Sequence, residues 1–308
     1  MRNKILTTAL PVTFILLITA PFITLQGAAK GVRLWFNVVL PSMLPCIILS
    51  DMLIKTYGQE FKYPYLYILF TGLMCGYPMG AKNCADLYGK TPESAKRTQF
   101  LVALSNYSSP MFITNYCIAQ TLLMKDKVIP ILFILYLPPV LCIIFEFIRN
   151  KSFYFADASL SQNLSKTAAS HETSGSNRLT IKIIDSSIMS GFEIITRLGG
   201  YIILFSILAE LLQNMVAVND IFKIAGAGIL EITTGGEMIA GMQIPLYIKC
   251  IVISAFCAFG GLSSVAQTSS VLIGTDLSTK KYILVKTRQA LVAAVLAAVI
   301  FWLVLTDG

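Results

Sequence analysis

Residues 100–124 form a run of 25 residues without a single charged side chain. A helix needs about 20 mostly apolar residues to cross the roughly 30 Å hydrocarbon layer of a bilayer. Similar runs recur along the whole chain, and only 13% of its residues are charged, against about 25% in a typical soluble domain. This pattern excludes a water-soluble globule and a disordered protein, and it makes the lipid bilayer the main solvent of the chain.

The apolar runs predict an all-α polytopic membrane protein with about eight transmembrane helices. The predicted spans are residues 5–25, 34–54, 65–81, 100–124, 128–148, 188–212, 250–272 and 289–305. A further segment, residues 224–245, is moderately apolar but rich in glycine and acidic residues. We interpret it as re-entrant or interfacial, and the sequence leaves open whether it spans.

The net charge of +8 is interpreted as a topology signal rather than as a nucleic-acid-binding surface, because membrane proteins carry surplus lysine and arginine in cytoplasmic loops. The distribution of these residues predicts that the polar loop 149–187 is cytoplasmic and that both termini are outside. The loop is rich in Ser, Thr, Asn and Gln, contains His171, and divides the chain into a first membrane half (1–148) and a second (188–308). If residues 224–245 also span, the second half is inverted.

An internal repeat is indicated at one place, where residues 76–87 align with residues 261–272. Gly76 matches Gly261, and Ala81 matches Ala266. Many transporters consist of two related halves whose helices break near the bilayer midplane, and paired glycine-rich interruptions mark such sites. We therefore predict two related halves with broken or re-entrant segments. The alternative is that these glycines only permit close helix packing.

Gly76, Tyr77, Pro78 and Gly80 end an apolar run and predict a break in its helix. Proline removes a backbone donor and disfavours helix at the residue before it, and glycine permits a turn. Backbone groups freed inside a membrane must face protein or a water-filled cavity. Lys82 follows the break and is predicted to meet an anionic group, unless it only marks the edge of the membrane.

Two other polar clusters lie inside apolar runs and are predicted to line a substrate site. Asn106 and Ser109 precede Pro110 in the run 100–124, where several hydrogen-bonding side chains would be costly to place against lipid. Gly261, Ser263 and Gln267 form the polar centre of the run 250–272. The alternative for both clusters is hydrogen bonding between helices, worth about 0.6 kcal/mol per contact.

Glu193 and Arg197 lie four residues apart within the run 188–212, so they share one face of a helix and can pair. They are interpreted either as a structural pair or as part of ion coupling. No catalytic residue, metal site or cofactor is predicted, since a serine nucleophile would need a base in reach and the sole histidine lies in the polar loop. The chain is therefore not expected to be an enzyme.

Three motifs resemble those of a known family. They are Leu-Pro-Ser-Met-Leu-Pro at 40–45, Cys-Gly-Tyr-Pro-Met-Gly-Ala-Lys at 75–82, and the stretch 106–113; residues 261–267 resemble the second half of the same family. The family is that of the sporulation integral membrane protein YlbJ, which belongs with bacterial membrane proteins carrying the nucleoside-recognition (Gate) domain. The resemblance implies a multi-pass cell-membrane protein that is needed for building the spore cortex or envelope, and kinship with solute carriers that bind nucleosides.

The sequence thus predicts a transporter-like protein that binds a small polar or anionic, nucleoside-like solute between its two repeats. The alternative is a non-transporting scaffold for spore-envelope assembly. A homo-oligomer is possible on either interpretation, and no nucleic-acid partner is expected.

Overall fold

A computed structural model describes residues 11, 13–57, 64–86, 88, 92–149, 179–215 and 219–306. Within these ranges the regular structure is helical and no strand is present. The start of the predicted span 5–25 and most of the predicted loop 149–187, with His171, lie outside the described residues.

The longest helix, α1 (Pro21–Tyr57), contains a wider π-helical turn at Trp35–Val39 and follows a helical stretch at 13–19. It packs along α7 (Ile181–Gln213), and glycine makes this contact possible. A methyl group on Gly27 or Gly31 would lie 2.8 Å from the Cα atom of Ile207 or Ile203, respectively. The sequence predicted an interruption between spans 5–25 and 34–54. The structure instead continues one helix through it, because residues 26–33 are held against α7 and Lys30 pairs with Glu210 at 2.8 Å.

Two broken helices follow in the first half of the chain. α2 (Pro64–Cys75) ends at Gly76, and α3 (Met79–Asp86) begins after Pro78. α4 (Pro92–Ser105) ends before a non-helical stretch at 106–109, and α5 begins at Pro110–Phe112 and continues as the π-helical segment Ile113–Leu122. The first break was predicted from its glycine and proline residues and is confirmed, and the second lies directly before Pro110. α6 (Val128–Arg149) completes this half.

The second half also contains two broken helices. α8 (Asp220–Leu230) and α9 (Ile232–Gly241) are separated by the single extended residue Glu231. α10 (Leu246–Phe259) and α11 (Gly261–Val271) are separated by Gly260, whose φ of +88° is readily adopted only by glycine. The last helix, α12 (Thr279–Thr306), packs along α10.

Four helices of the described chain are long and apolar enough to cross a membrane: Pro21–Tyr57, Ile181–Gln213, Leu246–Val271 and Thr279–Phe301. The third of these includes the break at Gly260. A shorter apolar helix lies at Tyr65–Cys75. The membrane-protein class is thus confirmed, while the count of about eight spans and the relation between the two halves stay predictions.

The predicted boundary of the last span is wrong at its amino-terminal side. Residues 280–288 precede the predicted span 289–305, but α12 already begins at Thr279. Lys286 is fully buried, so it does not belong among the loop charges that set the topology. The helix begins earlier because its buried face continues upstream of residue 289, through Lys286 and Tyr282.

Candidate functional site

The four interrupted helix pairs meet at one small internal cavity of about 60 Å³, here called the chamber. Each interruption supplies part of its wall, together with apolar side chains of α1 and α7. The lining residues are Leu34, Val39, Met43, Tyr77, Ser108, Ser109, Phe112, Leu198, Ile202, Glu231, Ile232, Thr233, Gly260, Ser263, Ser264 and Gln267. The chamber is therefore built where helices end and polar backbone becomes available, as at the broken helices of transporters.

The break at Gly260 faces the break at Tyr77 at close range. A methyl group on Gly260 would lie 2.5 Å from the hydroxyl oxygen of Tyr77 and 2.5 Å from that of Ser264. Ser264 donates to the carbonyl oxygen of Gly261 at 2.9 Å, and Gln267 donates to the Ser263 hydroxyl at 3.1 Å. The predicted juxtaposition of the two glycine-rich stretches is thus present in the described residues.

The breaks of the first half are packed on each other. Methyl groups on Gly72 and Gly80 would lie 2.4 Å and 2.6 Å from the carbonyl oxygen of Ser105, and one on Gly76 would lie 3.0 Å from the amide nitrogen of Ser109. Ser109 accepts from the amide of Phe112 at 3.2 Å and so caps the start of α5. These glycines act by bringing backbones together, with Gly76 in the left-handed region at φ +84°.

Asn106 lies behind the chamber and joins three elements rather than lining the cavity. Its amide nitrogen donates to the Thr268 hydroxyl at 2.6 Å and to the Tyr282 hydroxyl at 3.1 Å, and its oxygen accepts from the backbone of Ala81 at 3.4 Å. Fully buried and hydrogen-bonded, Asn106 holds α3, α11 and α12 around the break in its own helix. This arrangement suits a positioning role.

Glu231 is a chamber residue that the sequence analysis did not select. Its side chain is 4% exposed, and it caps α9 by accepting from the backbone amides of Thr233 and Thr234 at 2.8 and 3.0 Å. It also accepts from the Thr233 hydroxyl. An acidic residue in a glycine-rich segment suggested an interface with water, and only the tertiary structure places it inside.

Lys286 is the second buried charged side chain that the sequence analysis missed. It is 0% exposed, and its Nζ donates to the carbonyl oxygen of Asn106 at 3.4 Å. The same atom lies 3.5 Å from the ring centre of Tyr107 and 5.4 Å from that of Tyr77. The lysine therefore sits against the carbonyl freed by the break at 106–109 and against two aromatic faces.

A larger cleft of about 950 Å³, here called the outer cleft, lies between α1, α3 and α7. Its charged lining consists of three pairs spaced four residues apart: Asp51–Lys55 at 2.6 Å, Lys82–Asp86 at 2.9 Å and Glu193–Arg197 at 2.7 Å. The side chains of Glu193 and Arg197 are 71% and 49% exposed. Lys82 thus lies in the outer cleft beside Asp86.

A further pocket of about 230 Å³, here called the inner cleft, links the outer cleft to the chamber. It shares Lys82, Asp86, Ser190, Glu193 and Arg197 with the outer cleft. It shares Leu198 and Gln267 with the chamber. The inner cleft and the chamber therefore adjoin at Leu198 and Gln267, which line both cavities.

The predicted site residues thus fall into three groups. Tyr77, Ser109, Ser263 and Gln267 line the chamber. Pro78, Lys82, Glu193, Arg197 and again Gln267 line the inner cleft. The remaining four position these walls: Gly76, Gly80, Asn106 and Gly261.

Interrupted helices around a chamber with polar and apolar lining, in a chain with several membrane-length apolar helices, define a polytopic integral membrane protein. Comparison with known proteins agrees. The chain is 26% identical to the sporulation integral membrane protein YlbJ of Bacillus subtilis (strain 168), over an alignment of 336 positions that covers 94% of this chain and 81% of YlbJ. The chain is thus an integral membrane protein that is similar to YlbJ over nearly all of its length, and the resemblance predicted from its motifs is confirmed. No family model and no solved structure matches the chain.

Proposed function

We propose that this protein binds a small polar solute in the inner cleft and moves it past the chamber, as a permease would, and that it serves sporulation as the name of its relative states. One observation carries the proposal. Four helix interruptions surround one chamber, and Leu198 and Gln267 line both this chamber and the inner cleft. A scaffold has no need of such interruptions, which cost hydrogen bonds in a membrane.

The size and charge of the clefts support a solute of modest size. The outer and inner clefts measure about 950 and 230 Å³, and small-molecule sites typically measure about 300–1,000 Å³. Lys82 and Arg197 offer positive charge to an anionic group, whereas Asp86 and Glu193 offer acceptors to hydroxyl or amino groups. A nucleoside-like or anionic solute with several hydrogen-bonding groups suits this mixed lining.

A binding screen tests the solute proposal. The purified full chain in detergent is heated with single nucleosides or anionic metabolites, and hits are tested for uptake in proteoliposomes. We expect a hit to raise the unfolding temperature of the unmodified protein, and Arg197→Gln and Gln267→Ala to weaken that response. Arg288→Gln is the matched control, because Arg288 is exposed on α12 and lines none of the three cavities.

The sporulation role has its own test. A Bacillus subtilis strain lacking YlbJ receives this chain or YlbJ itself, and heat-resistant spores are counted. We expect this chain to restore spores, and Gln267→Ala to restore fewer at equal membrane abundance. Full restoration by variants that no longer respond to any solute would favour the scaffold over the permease.

A further inference from the structure

The chamber has an unusual charge balance for a cavity inside a membrane protein. Among the described lining residues Glu231 is the sole charged side chain. It pairs with no lysine or arginine of the described chain. A carboxylate buried away from water is costly unless a positive charge or a set of donors compensates it. No positively charged side chain of the described lining compensates Glu231, whose compensation comes from the donors of its helix cap.

Only one of the two carboxylate oxygens of Glu231 is used by the helix cap. The hydrogen bonds from the amides of Thr233 and Thr234 and from the Thr233 hydroxyl all end on Oε2. The other oxygen, Oε1, belongs to a side chain that lines the chamber. The cap thus fixes the carboxylate and leaves one oxygen for a ligand in the cavity.

Lys286 does not fill this role. Its Nζ is engaged by the carbonyl oxygen of Asn106 and by the ring of Tyr107, and it is not among the residues that line the chamber. The pair of Glu193 and Arg197 is equally unsuited, since neither residue lines the chamber.

The volume of the chamber restricts what can supply the missing charge. The chamber measures about 60 Å³, well below the roughly 300–1,000 Å³ of typical small-molecule sites. It therefore suits a partly dehydrated inorganic cation better than an organic solute. Oxygen atoms are the ligands that hard cations prefer, and the chamber is lined by Ser108, Ser263 and Ser264 as well as by Glu231. One carboxylate balances one positive charge.

We infer that the chamber is a binding site for a monovalent inorganic cation, with Glu231 as its charged ligand and neighbouring hydroxyl oxygens as neutral ligands. In the proposed function, on which this role rests, the cation is the coupling ion of transport. The ion-coupling residue is then Glu231 rather than the predicted pair Glu193 and Arg197. Binding of the cation itself is measurable whether or not a solute is transported.

The test uses the full chain in detergent at constant pH and ionic strength. N-methyl-D-glucamine chloride is replaced stepwise by lithium, sodium or potassium chloride, and the unfolding temperature is recorded. We expect a saturable rise with at least one alkali cation for the unmodified protein and loss of that rise in Glu231→Gln. Glu237→Gln is the matched control, because Glu237 lies on the same helix, accepts from Tyr116 at 3.0 Å and does not line the chamber.

A second variant covers the case in which Glu231→Gln does not fold. Ser263→Ala removes a lining hydroxyl without touching a helix cap, and we expect it to raise the half-saturating cation concentration severalfold. The inference is overturned if no alkali cation stabilises the unmodified protein, or if Glu231→Gln and Ser263→Ala both respond as it does. Solute-dependent stabilisation without a cation response would overturn this inference alone, and a cation response without any solute response would count against the permease.

Discussion

At the scale of single residues, Gly260 marks a place where no side chain fits. Its φ is +88°, and a methyl group there would lie 2.5 Å from both the Tyr77 and the Ser264 hydroxyl oxygens. We expect Gly260→Ala to lower the free energy of unfolding by about 1–3 kcal/mol, from backbone strain and overpacking. Thermal unfolding in detergent measures this. Gly200→Ala is the control, because nothing lies within 4 Å of a methyl group on Gly200, and a stability change as large as that of Gly260→Ala would contradict the argument.

Lys286 is a charged side chain at a buried position where an apolar side chain would cost less free energy. An unpaired charge in the middle of a membrane helix costs at least about 2.5 kcal/mol, and a hydrogen bond to one carbonyl and a contact with Tyr107 return only part of it. We expect Lys286→Met to leave the unfolding free energy unchanged or to raise it. A loss of about 2 kcal/mol or more, as for breaking a needed buried contact, would show that the lysine is retained for stability.

Some parts of the site could be predicted from the sequence and others could not. The glycine and proline residues at 76–78 and 106–110 act on their own backbone, so their breaks were predictable from local chemistry. Lys286 and Glu231 act through tertiary neighbours, and their positions beside charged or glycine-rich residues suggested an aqueous boundary. One signal was available for Lys286. The buried face of α12 runs through Tyr282, Lys286, Gln289, Ala293 and Ala297, at the spacing of a single helix face.

At the scale of elements, the contact between α1 and α7 depends on small residues. Gly27 and Gly31 let the two helices approach so closely that a methyl group on either would meet backbone atoms of α7 at 2.8 Å. The sequence placed a connection here because Lys30 and Arg33 interrupt the apolar pattern. The structure instead accommodates Lys30 within the helix, because Glu210 lies opposite and pairs with it.

We expect Gly31→Val to separate α1 from α7 and to lower the unfolding free energy by about 2 kcal/mol or more, since overpacking of a tight contact typically costs about 1–3 kcal/mol. Val32→Ile adds bulk one residue further on, where the side chain is exposed, and should change little. Unfolding in detergent compares the two. Equal stability of both variants would mean that the helices separate at no cost.

At the scale of the whole molecule, the outer cleft, the inner cleft and the chamber lie in series, and Leu198 and Gln267 line the junction of the last two. The outer cleft begins near Asp51 and Ser186, at the carboxyl end of α1 and the amino end of α7. It deepens along α7 toward Leu198, a distance of about 18 Å at 1.5 Å per residue. This distance exceeds half the thickness of a bilayer core of about 30 Å.

Leu198 is therefore expected to control access from the clefts to the chamber. Ser263→Cys places a thiol in the chamber wall, and its reaction with a small hydrophilic thiol reagent reports how often the passage opens. We expect Leu198→Ala to accelerate that reaction and Leu198→Trp to slow it. Ser190→Cys, in the clefts on the near side of Leu198, should react at the same rate in all three backgrounds. If the Leu198 variants changed neither rate, the chamber would have to open by a different route, and the series of cavities would not be the path of the solute.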